Sequence, residues 1–185
     1  MKKSYWVWGI VVIILLYGVV SYNGFVKLNA GVDNQWAQVE TQYQRRFDLI
    51  PNLISSVKGV LAQEQKVFGD LADARTRYSG AASVGDKVAA ANQVEGALGR
   101  LLVIMENYPE LKSSETVQTL MAQLEGTENR ISVERSRFNE SVTAFNIRVR
   151  SFPSSLMAKI FGFATRDLFE AVQAAATAPQ VDLIQ

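Results

Sequence analysis

Cysteine and histidine are both absent from the chain. Without cysteine there is no disulfide framework, no thiolate nucleophile and no cysteine-based metal site. Without histidine the commonest general base and the commonest metal ligand are missing. The Glu-x-x-His pairs of carboxylate di-iron bundles cannot be built either. Proline is scarce, at 4 residues, so few positions interrupt a helix. Charge of one sign is not in excess: 19 basic and 18 acidic side chains leave a formal net charge of +1. That balance makes no long-range field for nucleic acid, and no basic block interleaves with aromatics. There is no Gly-rich phosphate loop, nucleophile elbow or metal-ligand set. No cofactor and no nucleic-acid partner are expected.

What the chain does have is one long uncharged run near its start. Lys2 and Lys3 precede Tyr5–Tyr22, YWVWGIVVIILLYGVVSY, 18 residues without a charge. A helix of that length spans about 27 Å, close to a hydrocarbon core. Trp6 and Trp8 at one end, with Tyr17 and Tyr22 towards the other, form the aromatic belts expected at two interfaces. A cleaved signal peptide is the competing reading. The run is long for one, no A-x-A site follows it, and there is no cysteine for a lipoprotein anchor. Residues 1–24 are therefore read as an uncleaved transmembrane anchor in lipid. Lys2 and Lys3 before the span, against Lys27 alone just after it, leave the N-terminus cytoplasmic and the rest outside a bacterial inner membrane. No second span is expected.

Beyond the anchor the composition and periodicity are helical. From Phe25 to Tyr78 apolar residues follow a 4-3 repeat through Val32, Trp36, Val39, Tyr43, Ile50, Leu53, Val57, Val60, Val67 and Leu71. Asn29, Arg46 and Glu64 break the two rows. This periodicity predicts a bundle helix. Pro51 interrupts the run, with Asp48 placed to cap a new helix. Because the heptad phase survives, a kinked helix in one direction is favoured over a hairpin. SGAASVGD, residues 79–86, is a breaker. A second helix is predicted from about Asp86 to Asn107, and a third from about Glu115 to Ser151. In the third, Val117, Leu124, Ile131, Phe138, Phe145 and Phe152 recur at sevens. Pro153 ends it, and a fourth helix is predicted over residues 154–176. The expected architecture is all-α: a single N-terminal transmembrane helix (1–24), a long antiparallel bundle of about four helices (25–176) and a loose tail (177–185).

Two blocks resemble the LemA family. In the first the carriers are Tyr22-Asn23, Trp36, Arg45-Arg46 and Asp48-Leu49-Ile50-Pro51-Asn52-Leu53. In the second they are Leu124-Glu125, Thr127-Glu128-Asn129-Arg130-Ile131, Arg135, Phe138-Asn139 and Phe145-Asn146, with Phe152-Pro153 following. Phe138 stands where the family usually has tyrosine. The resemblance implies a membrane-anchored antiparallel helical bundle and no agreed biochemical activity. Some family members are similar to magnetosome-associated proteins. Others are encoded beside the membrane metalloprotease HtpX.

The charged residues in core rows admit three readings. Unpaired, each costs several kcal/mol, so partners are expected. The favoured reading is an internal polar lock of Glu64, Glu128 and Arg135. It supposes that the first helix runs on to Tyr78, bringing Glu64 level with Glu128 and leaving Arg46 too low to join. The second reading is an interface at Trp36, Tyr43, Arg45, Arg46, Asp48 and Pro51. The third, a catalytic carboxylate site, lacks a pocket signature, and the chain is read as a non-enzyme. Phe161, Phe163, Leu168 and Phe169, with Lys159 and Arg166, are read as capping the bundle core rather than lying on a membrane. The functional expectation is a self-assembling scaffold of the bacterial envelope membrane. The alternative is an adaptor for a membrane protease such as HtpX.

Overall fold

The computed structural model describes residues 2–61 and 64–169. Among these every regular element is an α-helix: α1 (Lys2–Val57), α2 (Gln65–Gly80), α3 (Val84–Met105), α4 (Pro109–Lys112), α5 (Glu115–Arg150) and α6 (Ser154–Phe161). The chain packs as two compact units. Unit 1 is Met1–Asp33 with Arg137–Gln185, and unit 2 is Asn34–Ser136. Helices α1 and α5 each contribute to both.

α1 passes through Pro51 as one helix. Pro51 has no N–H to give the Phe47 carbonyl. Its own carbonyl accepts from Ser55 Oγ at 2.8 Å. Asp48 does not cap a new helix, because its Oδ1 accepts from Gln44 Nε2 at 2.8 Å. The reversal comes later than Pro51 and earlier than Tyr78, at Lys58–Val60. There Val60 and Leu61 donate back to the Val57 carbonyl at 3.1 and 2.9 Å.

The expected helix to Tyr78 is therefore two helices. In unit 2, α2 buries Val67, Leu71, Ala74 and Tyr78. α3 buries Ala90, Ala91, Val94, Ala97, Leu98, Leu101 and Met105. Arg77 donates to Gln93 Oε1 at 3.2 Å, and Arg100 pairs with Asp70 at 3.3 Å. Rising numbers on α2 meet falling numbers on α3, so the two are antiparallel. α3 starts where Ser83 Oγ accepts from the Asp86 amide at 3.0 Å, an N-cap. α3 has the length and apolar content to cross a membrane, as does α1 from Trp6. α3 turns that content into the core of unit 2, whereas Trp6, Trp8, Ile13, Leu15 and Val20 of α1 are exposed.

In unit 1, α5 buries Phe138, Val142 and Phe145. The row of sevens ends there, because α5 stops at Arg150 and leaves Phe152 exposed beside the cis Phe152–Pro153 peptide. The predicted fourth helix is cut to the 8 residues of α6. Gly162, at φ +75°, caps it in the left-handed region, which costs glycine no steric penalty. Residues 163–169 then run without helix. The rest of the predicted fourth helix, 170–176, and the tail 177–185 lie outside the described residues.

Candidate functional site

The charges that interrupt the core rows of unit 2 are taken up between helices, with partners other than those expected. Arg46, 5% exposed, pairs through Nη2 with Glu128 Oε2 across α1 and α5. Its Nε and Nη1 are buried without a hydrogen-bond partner among the described residues. Arg135 donates from Nε to the Tyr43 hydroxyl at 2.9 Å and from Nη2 to Asn92 Oδ1 at 3.3 Å. It also lies 3.7 Å from Glu95 Oε2 and 5.5 Å from the Tyr43 ring centre. One guanidinium thus ties α1, α3 and α5. Its planar fork of donors makes such a three-way contact possible where an ammonium would make fewer directed bonds.

Glu64 has no part in this network. It sits in the α1–α2 connection, where its amide bonds to the Leu61 carbonyl at 2.9 Å and Val67 bonds back to it at 3.2 Å. From Arg46 to the end of α1 is about 17 Å of helix axis. The grouping of Glu64, Glu128 and Arg135 is therefore replaced by Arg46–Glu128 beside Tyr43–Arg135. The residues read as an interface also divide. Tyr43 and Arg46 are interior, Trp36 is half-buried, and Arg45, Asp48 and Pro51 are exposed.

The surroundings of the network are aromatic. Tyr78 meets Tyr43 edge-on at 5.5 Å and Phe47 at 4.5 Å. Burial pushes the Tyr43 phenol up, opposed in part by the charge of Arg135. Burial also pushes Tyr78 far up, helped by the negative charge of Glu40. Glu40 itself pairs with Lys87. Both phenols are held neutral, Tyr43 as a hydrogen-bond acceptor for Arg135 and Tyr78 as a packing group.

Unit 1 contains a second constellation. Asn146 Nδ2 donates to the Arg166 carbonyl and Asn146 Oδ1 accepts from the Arg166 amide, both at 2.8 Å. Asn139 repeats the motif on Phe169, at 3.1 and 2.8 Å. The neighbouring phenylalanines fill the space beneath: Phe138 meets Phe169 at 5.2 Å and Phe145 meets Phe163 at 6.4 Å. Phe163 stacks on Phe25 of α1 at 4.9 Å. Arg166 closes the strap onto α1 by pairing with Asp33 at 2.5 Å. Phe163 and Phe169 thus cover the core of unit 1, as expected of them, whereas Phe161 and Leu168 of the same expected set are exposed. The repeated Phe-Asn pair was visible in the sequence, but its role needs the strap, which a helix-only reading of residues 154–176 removes.

Comparison with known proteins places the chain in a family. The family model described as "LemA family" matches residues 35–183, which contain the polar network and the Phe-Asn pairs. Three curated relatives are similar: "Magnetosome protein MamQ 1" and "Magnetosome protein MamQ 2" of Paramagnetospirillum magneticum, each 26% identical, and "Magnetosome protein MamQ" of Magnetospirillum gryphiswaldense, 27% identical. Each match covers 82% of this chain and 65% of the relative, so the chain spans just under two thirds of their length. With the family model matched over most of its residues, the chain belongs to the LemA family.

Proposed function

We propose that the protein is a membrane-anchored, non-catalytic helical scaffold that assembles with copies of itself. The observation that carries this reading is the use made of its charged residues. Arg46, Glu128 and Arg135 join helices to one another instead of converging on a cleft. Unit 2 is thereby braced from within by its own charges. The anchor is the apolar start of α1, which enters unit 1 as a single uninterrupted helix. Such a helix transmits position from lipid to the packed core without a hinge. Lys2 and Lys3 favour a cytoplasmic N-terminus and a bundle outside the inner membrane. Exposed Arg45, Asp48 and Pro51, with half-buried Trp36, are the surface assigned to copy–copy contact. The relatives that the chain resembles are named magnetosome proteins.

The test is the native mass of the full-length protein, gently extracted from its own membranes. A large single-component assembly is expected, broken down by Trp36→Ala with Arg45→Glu. A monomer overturns self-assembly. A small particle carrying a second membrane protein overturns it in favour of an adaptor, such as one for a membrane protease of the HtpX type.

A further inference from the structure

α6 is built inside out for a helix in water. It buries Ser154 and Ala158, one turn apart. The opposite face carries Leu156, 51% exposed, and Ile160, 69% exposed. Phe152, immediately before it, is 82% exposed. Single exposed apolar residues are ordinary. A helix that hides its small residues and presents its large aliphatic ones is not, and marks a contact with something apolar.

The place of α6 in unit 1 identifies that contact. α5 comes down alongside α1, so that Arg148 Nη2 lies 3.7 Å from where a side chain on Gly24 would begin. After α6 the strap climbs away, from Phe163 beside Phe145 to Phe169 beside Phe138. α6 is therefore the turnaround. Its last residue, Phe161, meets the Tyr22 ring edge-on at 5.1 Å. Tyr22 ends the uncharged run of α1, where the outer aromatic belt is expected. Charge agrees: residues 1–32 and 141–165 contain no aspartate or glutamate, and Arg150 and Lys159 flank the exposed apolar face. An apolar face fringed by cations beside the end of a membrane span suits the headgroup region of an anionic bilayer.

We propose that α6 is a second membrane contact, an interfacial wedge in which Phe152, Leu156 and Ile160 enter the bilayer surface beside Tyr22 while Arg150 and Lys159 meet lipid phosphates. It rests on the reading of α1 as a membrane anchor. It concerns Phe152, Leu156 and Ile160, which are not among the C-terminal residues read as capping the core. With two contacts, unit 1 is held against tilting on its anchor.

The natural absence of cysteine allows one label per chain. Full-length Ile160→Cys, Leu156→Cys, Ile13→Cys and Ser132→Cys variants, each carrying an environment-sensitive fluorophore, are reconstituted in vesicles of phosphatidylcholine and phosphatidylglycerol. Nitroxide quenchers are placed either near the headgroups or deep in the acyl chains. All four positions are exposed or lie on the apolar run, so labelling leaves the packing intact. The expected result is loss of Ile160 and Leu156 emission to the shallow quencher, loss of Ile13 emission to the deep one, and no loss at Ser132. Quenching at Ile13 without quenching at 156 and 160 overturns the wedge and leaves the anchor standing. A blue-shifted but unquenched label at 160 means that protein covers the face, and also overturns it. No quenching at Ile13 removes the anchor reading, and the wedge with it.

Discussion

Asn139 and Asn146 stand one heptad apart on α5 and hold backbone groups only three residues apart, at Phe169 and Arg166. The two spacings agree physically. Seven helical residues advance about 10.5 Å, and three extended residues about 10 Å. A Phe-Asn pair repeated at seven on a helix is thus a ruler for an extended strand laid along it. Each phenylalanine supplies the floor and each asparagine the donor and acceptor that an adjacent β-strand would otherwise provide.

Replacing either asparagine should release the strap locally. Asn146→Ala removes both side-chain hydrogen bonds to the Arg166 backbone and leaves a half-buried amide and carbonyl unsatisfied, at a cost of about 1–3 kcal/mol. Asn139→Ala should act similarly on Phe169. Amide hydrogen exchange reads this directly: protection at 166 should fall in the first variant and at 169 in the second. Unchanged exchange at those amides would show that the aromatic contacts alone hold the strap.

The interior charges of unit 2 should respond asymmetrically. Glu128→Gln strips the counter-charge from buried Arg46, and because Glu128 is partly exposed the cost should be about 1–3 kcal/mol, below that of a fully buried pair. Replacing the whole pair, Arg46→Met with Glu128→Leu, removes a guanidinium that lacks partners at two nitrogens together with its buried carboxylate oxygen, and should be neutral or stabilising. Arg135→Met should be the worst of the set, at about 2–4 kcal/mol, since Tyr43, Asn92 and Glu95 all lose a donor. Glu64→Gln should stay within about 0.5 kcal/mol of the parent. Urea denaturation of the four variants decides the order.

Much of this architecture is legible in the sequence, and the misses have specific causes. α3 and α5 are readable because their limits carry local signals, Ser83 before one and Pro153 after the other. The reversal at Lys58–Val60 is not, because Val57, Val60 and Val67 keep the heptad phase across it. A buried stripe is a property of each helix separately, so two helices that reverse can still share one phase. The same hidden reversal decides the polar network. A helix running on to Tyr78 would put Glu64 level with Glu128 and leave Arg46 out of reach. The chain turns after Val57 and brings Arg46 to Glu128 instead.

Gly162 is the residue that lets α6 end and the strap begin. Its φ of +75° is costly for any residue with a Cβ, although a Cβ there would meet nothing within 4 Å. Gly162→Ala should therefore cost about 1 kcal/mol from backbone strain alone, without a clash. Thermal unfolding of the full-length protein in detergent should show the loss. Gly126→Ala, in the middle of α5 with equally open space, should instead stabilise by up to about 1 kcal/mol.

The two buried phenols make stability fall at alkaline pH. Both Tyr43 and Tyr78 have their pKa raised in the folded chain, first by burial. An unfolded tyrosine loses its proton near pH 10, while the folded one keeps it to higher pH. Between those two values the unfolded state binds fewer protons, so stability declines as pH rises. Below about pH 9 these phenols contribute no pH dependence. Above pH 10 each steepens the decline by at most about 1.4 kcal/mol per pH unit. Tyr78→Phe should remove its share of that slope. At neutral pH it should be harmless or mildly stabilising, because the Tyr78 hydroxyl is buried without a hydrogen-bond partner among the described residues. Tyr43→Phe should flatten the slope as well but lose stability at neutral pH, about 1 kcal/mol, because Arg135 then keeps a donor without its acceptor. Denaturant midpoints across the alkaline range, measured for the parent and both variants, test the sign at each step.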